Sequence, residues 1–234
     1  LNIEFTYAQK MGKYAEFENL CFVDTLDNMG FAYRGKQGDI FASFTEENSE
    51  RIRKQNLKKI AVIIGNPPYN ANQANENDNN KNREYPEIDK RIKDTFIKQS
   101  TAQKTKVYDM YARFYRWAFD RLEHNGVIAF ITNNSFINSR TFDGFRKCVQ
   151  DEFQHAYIID LGGNIRELSG KDGIFLNEKH TIFGQAAAVG IAMLFLIKKE
   201  EVSKVKCQIN YIHPTDIRAT RDEKLAYIAD HSFK

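Results

Sequence analysis

The sequence predicts an α/β fold, in which an open sheet carries helices on both of its faces. Three short apolar runs have the composition of strands that are covered on both sides: residues 60–64, 127–132 and 156–161. Between these runs, apolar positions follow helical spacing. This alternation is typical of open α/β sheets, whose ligands bind outside the carboxyl ends of the strands.

Two elements are predicted ahead of the first of these strands. The apolar run Leu20–Val23 ends at Asp24, which suits a buried strand with an acid at its tip. Residues 46–59 are polar and rich in lysine and arginine, and they predict a helix with a solvated basic face. Asp24 therefore falls at the predicted carboxyl end of a strand, where we expect chemistry.

A long loop is predicted over residues 66–106. Seven asparagines fall within residues 70–82, and this composition disfavours both helix and strand. The apolar positions from Val107 to Leu122 follow helical spacing again. We expect the sequence His-Asn-Gly at 124–126 to end that helix.

The second half of the chain continues the alternation. A helix is marked by four apolar residues at helical spacing: Phe142, Phe145, Val149 and Phe153. Residues 188–197 predict the final strand of the sheet. A strand-like and a charged helix-like stretch follow, and we interpret them as the start of another module.

Length, charge and cysteine usage restrict the class of protein. With 234 residues the chain can bury the core of at least one large domain, and it contains no apolar run long enough for a membrane span. Its three cysteines stand singly, which argues against zinc sites and disulfides and for a reducing compartment such as the cytoplasm. A net charge of +3 is compatible with nucleic acid but does not demonstrate it.

The strand at residues 60–64 runs directly into the turn GNPPY at residues 65–69. The two prolines stiffen the backbone, so the Asn66 amide and the Pro67 carbonyl become two acceptors held in place. Two adjacent acceptors suit an NH2 group, and Tyr69 offers a flat face on which an aromatic base can stack. Such a site works by positioning and electrostatics and requires neither a metal nor a side-chain nucleophile.

This turn resembles the catalytic NPPY motif of the S-adenosylmethionine-dependent N6-adenine DNA methyltransferases, in the group whose cofactor motif precedes NPPY. Three further stretches are similar to that family: CFVDTLD at 21–27, the helix–strand–loop segment at 106–136, and TIFGQAAAVGIAMLFL at 181–196. DLGGNIRE at 160–167 and RDEKLAYI at 221–228 resemble the large single-chain type ISP restriction–modification enzymes. In those enzymes, helicase, methyltransferase and target-recognition parts share one polypeptide.

The resemblance implies a partial class I, Rossmann-like methyltransferase sheet. Residues 1–200 would form the catalytic domain, and residues 201–234 would begin a linker or target-recognition module. Double-stranded DNA is the implied substrate and S-adenosylmethionine the implied methyl donor. The implied partners are the helicase, nuclease and target-recognition domains of a longer parent chain.

The resemblance also implies roles for individual residues. The catalytic residues would be Asn66, Pro67, Pro68 and Tyr69. Phe183 would pack against the other face of an extruded base, and Asp24 would contact the adenine of the cofactor. No metal ligand is implied.

One family feature is absent from the sequence ahead of Asp24, namely the glycine-rich cofactor loop that follows a strand. The stretch IIDLGGN at 158–164 resembles such a loop in a permuted arrangement, but it lacks the G-x-G spacing. The chain also begins without methionine, within what resembles the interior of a domain. We therefore expect a piece of a longer enzyme, which on its own would bind S-adenosylmethionine poorly.

Several alternatives stay open at this point. Enzymes that methylate a glutamine side-chain amide of protein release factors also use NPPY, and N4 of cytosine is chemically accessible to the same turn. An inactive DNA-binding fragment is a further alternative. Among the individual residues, Asp24 could cap its own turn and Phe183 could belong to the core.

Overall fold

The computed structural model describes residues 2–17, 19–27, 29–30, 41–68, 85–102, 108–170, 173, 175–184, 189–200, 206–214, 216 and 218–230. The chain divides into two compact units, Leu1–Lys59 and Ile60–Lys234, and each is described by itself. Across these described ranges, no helix combines the length and the apolar character that crossing a membrane requires.

The smaller unit contains two helices and a short hairpin. Its elements are α1 (Asn2–Met11), β1 (Val23–Asp24), β2 (Met29–Gly30) and α2 (Phe41–Asn56), with β1 and β2 paired antiparallel. The helix predicted over 46–59 is confirmed as α2, although it begins earlier and ends at Asn56.

The buried strand predicted at Leu20–Val23 is wrong. Only Val23 and Asp24 form a strand, and the Phe22 side chain is 73% exposed. The backbone of Phe22 is instead held by Asn48 of α2, which accepts from its N–H at 2.7 Å and donates to its carbonyl at 2.8 Å. A side-chain clamp thus takes the place of the sheet neighbours that a buried strand would need.

The larger unit is built around a five-stranded sheet. Its strands are β3 (Ile60–Gly65), β4 (Leu122–Asn133), β5 (His155–Gly162), β6 (Ile191–Lys198) and β7 (Gln208–Ile212). Their spatial order is β3-β4-β6-β5-β7. Four strands run in one direction, and β6 is antiparallel to both of its neighbours. The predicted α/β class is confirmed, with a mixed sheet.

Six helices accompany this sheet in the described part of the larger unit. They are α3 (Pro86–Ile92), which continues as a π-helical turn over Lys93–Ile97, α4 (Met110–Arg121), α5 (Ser135–Asn138), α6 (Asp143–Glu152), α7 (Ile165–Leu168) and α8 (Arg221–Asp230). The helices predicted before and after the strand at 127–132 are confirmed as α4 and α6.

The loop predicted over 66–106 is wrong for residues 86–99, which are helical. Ile88, Ile92 and Phe96 recur at helical spacing and are all buried, so this segment contributes an apolar stripe to the core. The asparagine-rich residues 70–82 lie outside the described residues.

The glycine stop predicted for α4 is also wrong. The helix ends at Arg121 and β4 begins at Leu122, so Gly126 lies inside the strand. A Cβ on Gly126 would approach the Leu122 side chain to 2.8 Å and the Ala61 carbonyl to 3.0 Å. Gly126 is therefore explained by the close approach of β3 to β4.

Strand β3 is less covered than predicted, and β6 is not the final strand. Ile63 is buried, but Val62 and Ile64 are 58% and 78% exposed, so β3 is not covered on both of its faces. Beyond β6, β7 pairs parallel to β5 in the same sheet. The boundary at residue 200 stays a prediction.

The core beside α4 and α6 is largely aromatic. Tyr115, Phe119 and Phe145 pack ring against ring with centroid separations of 5.0–6.2 Å. Arg116 is 1% exposed, lies over the Phe119 ring, and forms ion pairs with Asp120 and Glu152. This packing fixes α4 and α6 against the sheet.

Asp143, the first residue of α6, ties that helix to the segment after α3. Its carboxylate accepts from the Ser100 hydroxyl, from the N–H of Thr101 at 2.8 Å, from the Thr101 hydroxyl at 2.7 Å and from the N–H of Gly144 at 2.7 Å. Burial by itself would raise the pKa of Asp143, but these donors outweigh it and lower the pKa below its usual value.

We expect Asp143→Asn to destabilise the protein at neutral pH, and we expect the loss to shrink as the pH falls. The folded-state pKa of Asp143 is depressed, so its contribution is complete above the pKa of the unfolded chain and is lost as the pH falls toward the folded-state pKa. Urea unfolding of both proteins at about pH 7 and about pH 3 measures this difference. Asp94→Asn, at an exposed position on the π turn, is the control. A free-energy difference that is independent of pH would contradict the assignment.

Candidate active site

The parallel strands of the larger unit all end at one edge of the sheet. Asn133, at the end of β4, lies opposite Ile191, the first residue of antiparallel β6. Ile191 in turn lies opposite Gly162, the last residue of β5. Residues that follow β3, β4, β5 and β7 therefore meet the residues that precede β6 along this carboxyl edge.

Asn66 follows β3 directly, so it lies at this edge, as predicted. Its side chain is exposed, Pro67 is buried and Pro68 is exposed. Gly65 stands opposite Phe130, and a Cβ on Gly65 would come within 3.0 Å of that ring. The absence of a side chain at Gly65 is thus explained by packing of Phe130.

Tyr69 lies outside the described residues, so its stacking role stays a prediction. The catalytic roles of Asn66, Pro67 and Pro68 stay predictions as well, now attached to a turn whose position in the sheet is known.

Phe183 belongs to the turn 178–184. A Cβ on Gly163, directly after β5, would lie 3.5 Å from the Cα of Thr181 in this turn, so the turn lies at the carboxyl edge. The turn is held by hydrogen bonds among its own residues. The Asn177 side chain accepts from the N–H of Lys179 at 3.0 Å, and the N–H of Asn177 donates to the His180 ring at 3.0 Å. The hydroxyl of Thr181, which is 1% exposed, lies 2.8 Å from the carbonyl of Gly184.

Two adjacent residues of this turn differ in their burial. Ile182 packs against the buried cluster of Ile159, Leu161 and Ile191, whereas Phe183 is 36% exposed. The turn therefore presents an aromatic ring at the carboxyl edge while its neighbour anchors the backbone. This supports neither a fully buried core role for Phe183 nor a loosely held one.

Asp24 lies in the smaller unit, whereas Asn66 lies in the larger one. The Asp24 carboxylate accepts from the N–H of Leu26 at 3.1 Å, so it closes its own turn. The capping role left open by the sequence is therefore observed. Contact of Asp24 with a cofactor stays a prediction.

A polar network along the carboxyl edge was missed by the sequence analysis. Asp160 near the end of β5 accepts from the Asn134 amide at 3.0 Å, from the Tyr211 hydroxyl at 3.0 Å and from the N–H of Gly162 at 3.0 Å. Burial is the main cause that raises the pKa of Tyr211, to about 12, and the charge of Asp160 adds to it.

Gly190, next to the start of β6, allows that strand to approach the network. A Cβ on Gly190 would collide with the Asn134 carboxamide. An acid near the end of a predicted strand, the criterion applied to Asp24, would have found Asp160.

A cavity of about 620 Å³ opens beside this network. Its walls come from the loops after β4, β5 and β7 and from α8, and they include Asn134, Asp160, Gly163, His213 and Lys224. The cavity shows that the carboxyl edge is concave as well as polar, which is the usual form of a ligand-binding edge in an open α/β sheet.

Residues 8–165 match the family model of the Eco57I restriction-modification methylase. Among individual proteins, the type II methyltransferase M.BstVI of Geobacillus stearothermophilus is 25% identical over 124 residues, which are 52% of this chain and 18% of that protein. The chain therefore spans less than a fifth of that relative.

Three solved structures are similar over nearly the whole chain. A DrdV–DNA complex is 51% identical with a TM-score of 0.81, covering 99% of this chain and 22% of its own. The type ISP restriction–modification enzyme LlaGI, a nuclease-deletion mutant in complex with a DNA substrate mimic, is 36% identical with a TM-score of 0.80, covering 98% and 18%. LlaBIII, an ATP-dependent type ISP enzyme bound to DNA, is 31% identical with a TM-score of 0.81, covering 98% and 15%.

These similarities confirm the resemblance to type ISP enzymes that the sequence motifs predicted. The three structures have TM-scores of 0.80–0.81 over 98–99% of this chain, so their folds are similar to the α/β fold described above. The chain belongs to the Eco57I restriction-modification methylase family.

Proposed function

We propose that this chain forms the base-binding part of an adenine-specific DNA methyltransferase of a restriction–modification system. The reaction would transfer a methyl group from S-adenosylmethionine to N6 of an adenine that has been extruded from double-stranded DNA. The observation that carries the proposal is the position of Asn66 and Pro67 at the carboxyl end of β3, on the same edge as the turn that presents Phe183. Membership of a methylase family supports the type of reaction.

The target base first leaves the duplex, at a cost of a few kcal/mol of unstacking. Its exocyclic N6 then donates one hydrogen to the Asn66 amide oxygen and the other to the Pro67 carbonyl. In free adenine the N6 lone pair is delocalised into the ring, which makes this nitrogen a poor nucleophile. Two acceptors held in a fixed geometry favour a more tetrahedral nitrogen, whose lone pair is available for attack.

Phe183 would contact one face of the extruded ring. Its exposure and the hydrogen-bonded backbone of its turn suit stacking, because a backbone that is already held loses little conformational freedom when a base arrives. Tyr69 would contact the other face. Each base–aromatic contact of this kind contributes about 1–3 kcal/mol, which is comparable to the cost of unstacking.

The described residues do not complete a site for the methyl donor, S-adenosylmethionine, which would supply an electrophilic methyl group. The one residue assigned to it, Asp24, uses its carboxylate to close its own turn. In the described part of the five-stranded sheet, no strand is followed by a G-x-G turn. We therefore propose that a preceding segment of a longer polypeptide provides the donor site.

The same longer polypeptide would carry helicase, nuclease and target-recognition parts. In support, this chain spans only 15–22% of the solved chains that it matches over almost its whole length. Those structures are DNA complexes of larger enzymes, which also supports double-stranded DNA as the partner of this chain.

Product analysis tests the proposed function. The full-length polypeptide is incubated with methyl-labelled S-adenosylmethionine and, in parallel reactions, with duplex DNA or with a protein release factor. The DNA is then digested to nucleosides. We expect the label in N6-methyladenine, because the acceptor pair suits an exocyclic amine next to a ring that can stack. Label in N4-methylcytosine would contradict the base assignment, and label in a release-factor glutamine but not in DNA would contradict the substrate class. No incorporation into either would support the non-enzymatic alternative.

A further inference from the structure

Helix α8 contacts the turn that carries Phe183 through a buried lysine. Lys224, in the first turn of α8, is 2% exposed, and its Nζ donates to the carbonyl oxygen of His180 at 2.5 Å. His180 ends the short helical turn Glu178–His180, three residues before Phe183. Burial lowers the pKa of Lys224 while the charge of Asp160 opposes this, so the ammonium is held at a cost in solvation.

The loop after β5 reaches the same contact. Gly163 has a φ of +86°, and a Cβ at this position would lie 2.9 Å from the His180 carbonyl and 3.4 Å from Nζ of Lys224. A side chain at residue 163 would therefore press on the hydrogen bond between Lys224 and His180. Three separate segments thus converge on one carbonyl oxygen.

Helix α8 is capped at its start and packs against the core through one of its apolar residues. Thr220 and Glu223 form a reciprocal capping box at its start, with the N–H of Thr220 donating to the Glu223 carboxylate at 2.7 Å. Farther along the helix, Ile228 packs against the buried cluster that also receives Ile182 of the turn. Helix α8 and the turn therefore share an apolar anchor and one charge-assisted hydrogen bond.

We propose that Lys224 is a positioning residue for base capture, which holds the turn 178–184 so that Phe183 meets the face of the extruded adenine. The inference rests on the proposed function and extends it to α8, which lies outside the segments that carry the NPPY turn and Phe183. A flexible turn would present the same ring in many orientations. A displacement of the Phe183 ring on the order of 1 Å near the reacting base can lower the rate by up to about a hundredfold. The hydrogen bond from Lys224 to His180 therefore affects catalysis by holding this ring in place.

The test removes the ammonium without changing the length of the side chain greatly. In the full-length polypeptide, Lys224→Met is compared with Arg221→Met, which removes an equal charge at an exposed position of the same helix. Once product analysis has located the methylated adenine, this base is replaced by 2-aminopurine. The fluorescence of 2-aminopurine in the bound complex reports its stacking, and a less stacked base is brighter. For Lys224→Met we expect brighter fluorescence for each bound complex and about a tenfold lower kcat, with KM for DNA within about twofold. Arg221→Met should match the wild-type protein in fluorescence and kcat.

Two further variants separate positioning from general stability. Gly163→Ala disturbs the same hydrogen bond from another segment, and we expect it to brighten 2-aminopurine as Lys224→Met does. In a Phe183→Ala background, Lys224→Met should cause no further change in fluorescence or kcat, because the residue through which it acts is gone. Thermal unfolding of each variant confirms that the protein is folded at the assay temperature.

The outcomes distinguish this inference from the proposed function. Wild-type fluorescence and kcat in Lys224→Met, or additive effects with Phe183→Ala, would overturn the positioning role while adenine methylation stands. A product other than N6-methyladenine, or unchanged fluorescence in Phe183→Ala, would overturn the proposed base site itself.

Discussion

Replacing Asn66 with alanine is expected to lower the rate of methyl transfer to DNA by about a hundred- to a thousandfold. The side chain is exposed at the carboxyl end of β3, so its truncation leaves no cavity in the core. The expected loss is therefore in catalysis rather than in folding. It has the size of other losses that follow removal of one preorganised hydrogen-bonding group from an active site.

The physical reason is that Asn66 supplies one of only two acceptors in the proposed site. Without its amide oxygen, one N6 hydrogen has no partner, and the lone pair stays delocalised in the adenine ring. Pro67 still fixes the backbone and offers its carbonyl, which explains why we expect a residual rate. Asn66→Asp keeps an acceptor oxygen and should retain more activity than Asn66→Ala.

Single-turnover methylation by the full-length polypeptide measures this effect, with DNA binding followed separately. The matched control is Asn125→Ala, an exposed asparagine in the part of β4 far from the carboxyl edge. We expect wild-type rates in Asn125→Ala and near-wild-type DNA affinity in both variants. Full methylation activity in Asn66→Ala would refute the proposed mechanism.

Local patterns in the sequence predicted most elements of the larger unit. Strands such as residues 127–132 and helices such as α4 are defined by runs and periodicities that lie within a few neighbouring residues. The position of Asn66 at the carboxyl edge followed directly, since it needs only the end of one strand. The helix at 86–99 was not predicted, because the asparagine-rich residues 70–82 directly before it indicate a loop.

Contacts that depend on the order and direction of the strands could not be predicted from local patterns in the sequence. The antiparallel direction of β6 brings Gly190 and Asn134 together, and it brings both next to Asp160, although these residues are distant in sequence. Similarly, the run ending at Val23 has the composition of a buried strand, but Asn48 of α2 satisfies the backbone beside it. Which partner satisfies a segment is a property of the tertiary structure, and periodicity does not encode it.

Gly144 is the position at which we expect a single added methyl group to destabilise the protein most. A Cβ on Gly144 would overlap the carbonyl oxygen of Phe96 and lie 2.9 Å from the backbone N of Ser100. These are backbone atoms, so no side chain can rotate away to make room. Helix α6 would have to separate from the π turn, which would also stretch the hydrogen bonds that Asp143 accepts from Ser100 and Thr101.

We therefore expect Gly144→Ala to reduce the free energy of unfolding by about 3 kcal/mol or more, at the upper end of the range for overpacked cores. In an exposed helix the same change would be favourable by up to about 1 kcal/mol, because alanine is the better helix former. Gln150→Ala, at an exposed position of the same helix, is the control and should change stability little. Urea unfolding at neutral pH measures both variants. A neutral or stabilising effect of Gly144→Ala would mean that α6 and the π turn are not in fixed contact. The pH dependence expected for Asp143→Asn should then disappear as well, because both effects depend on the same interface.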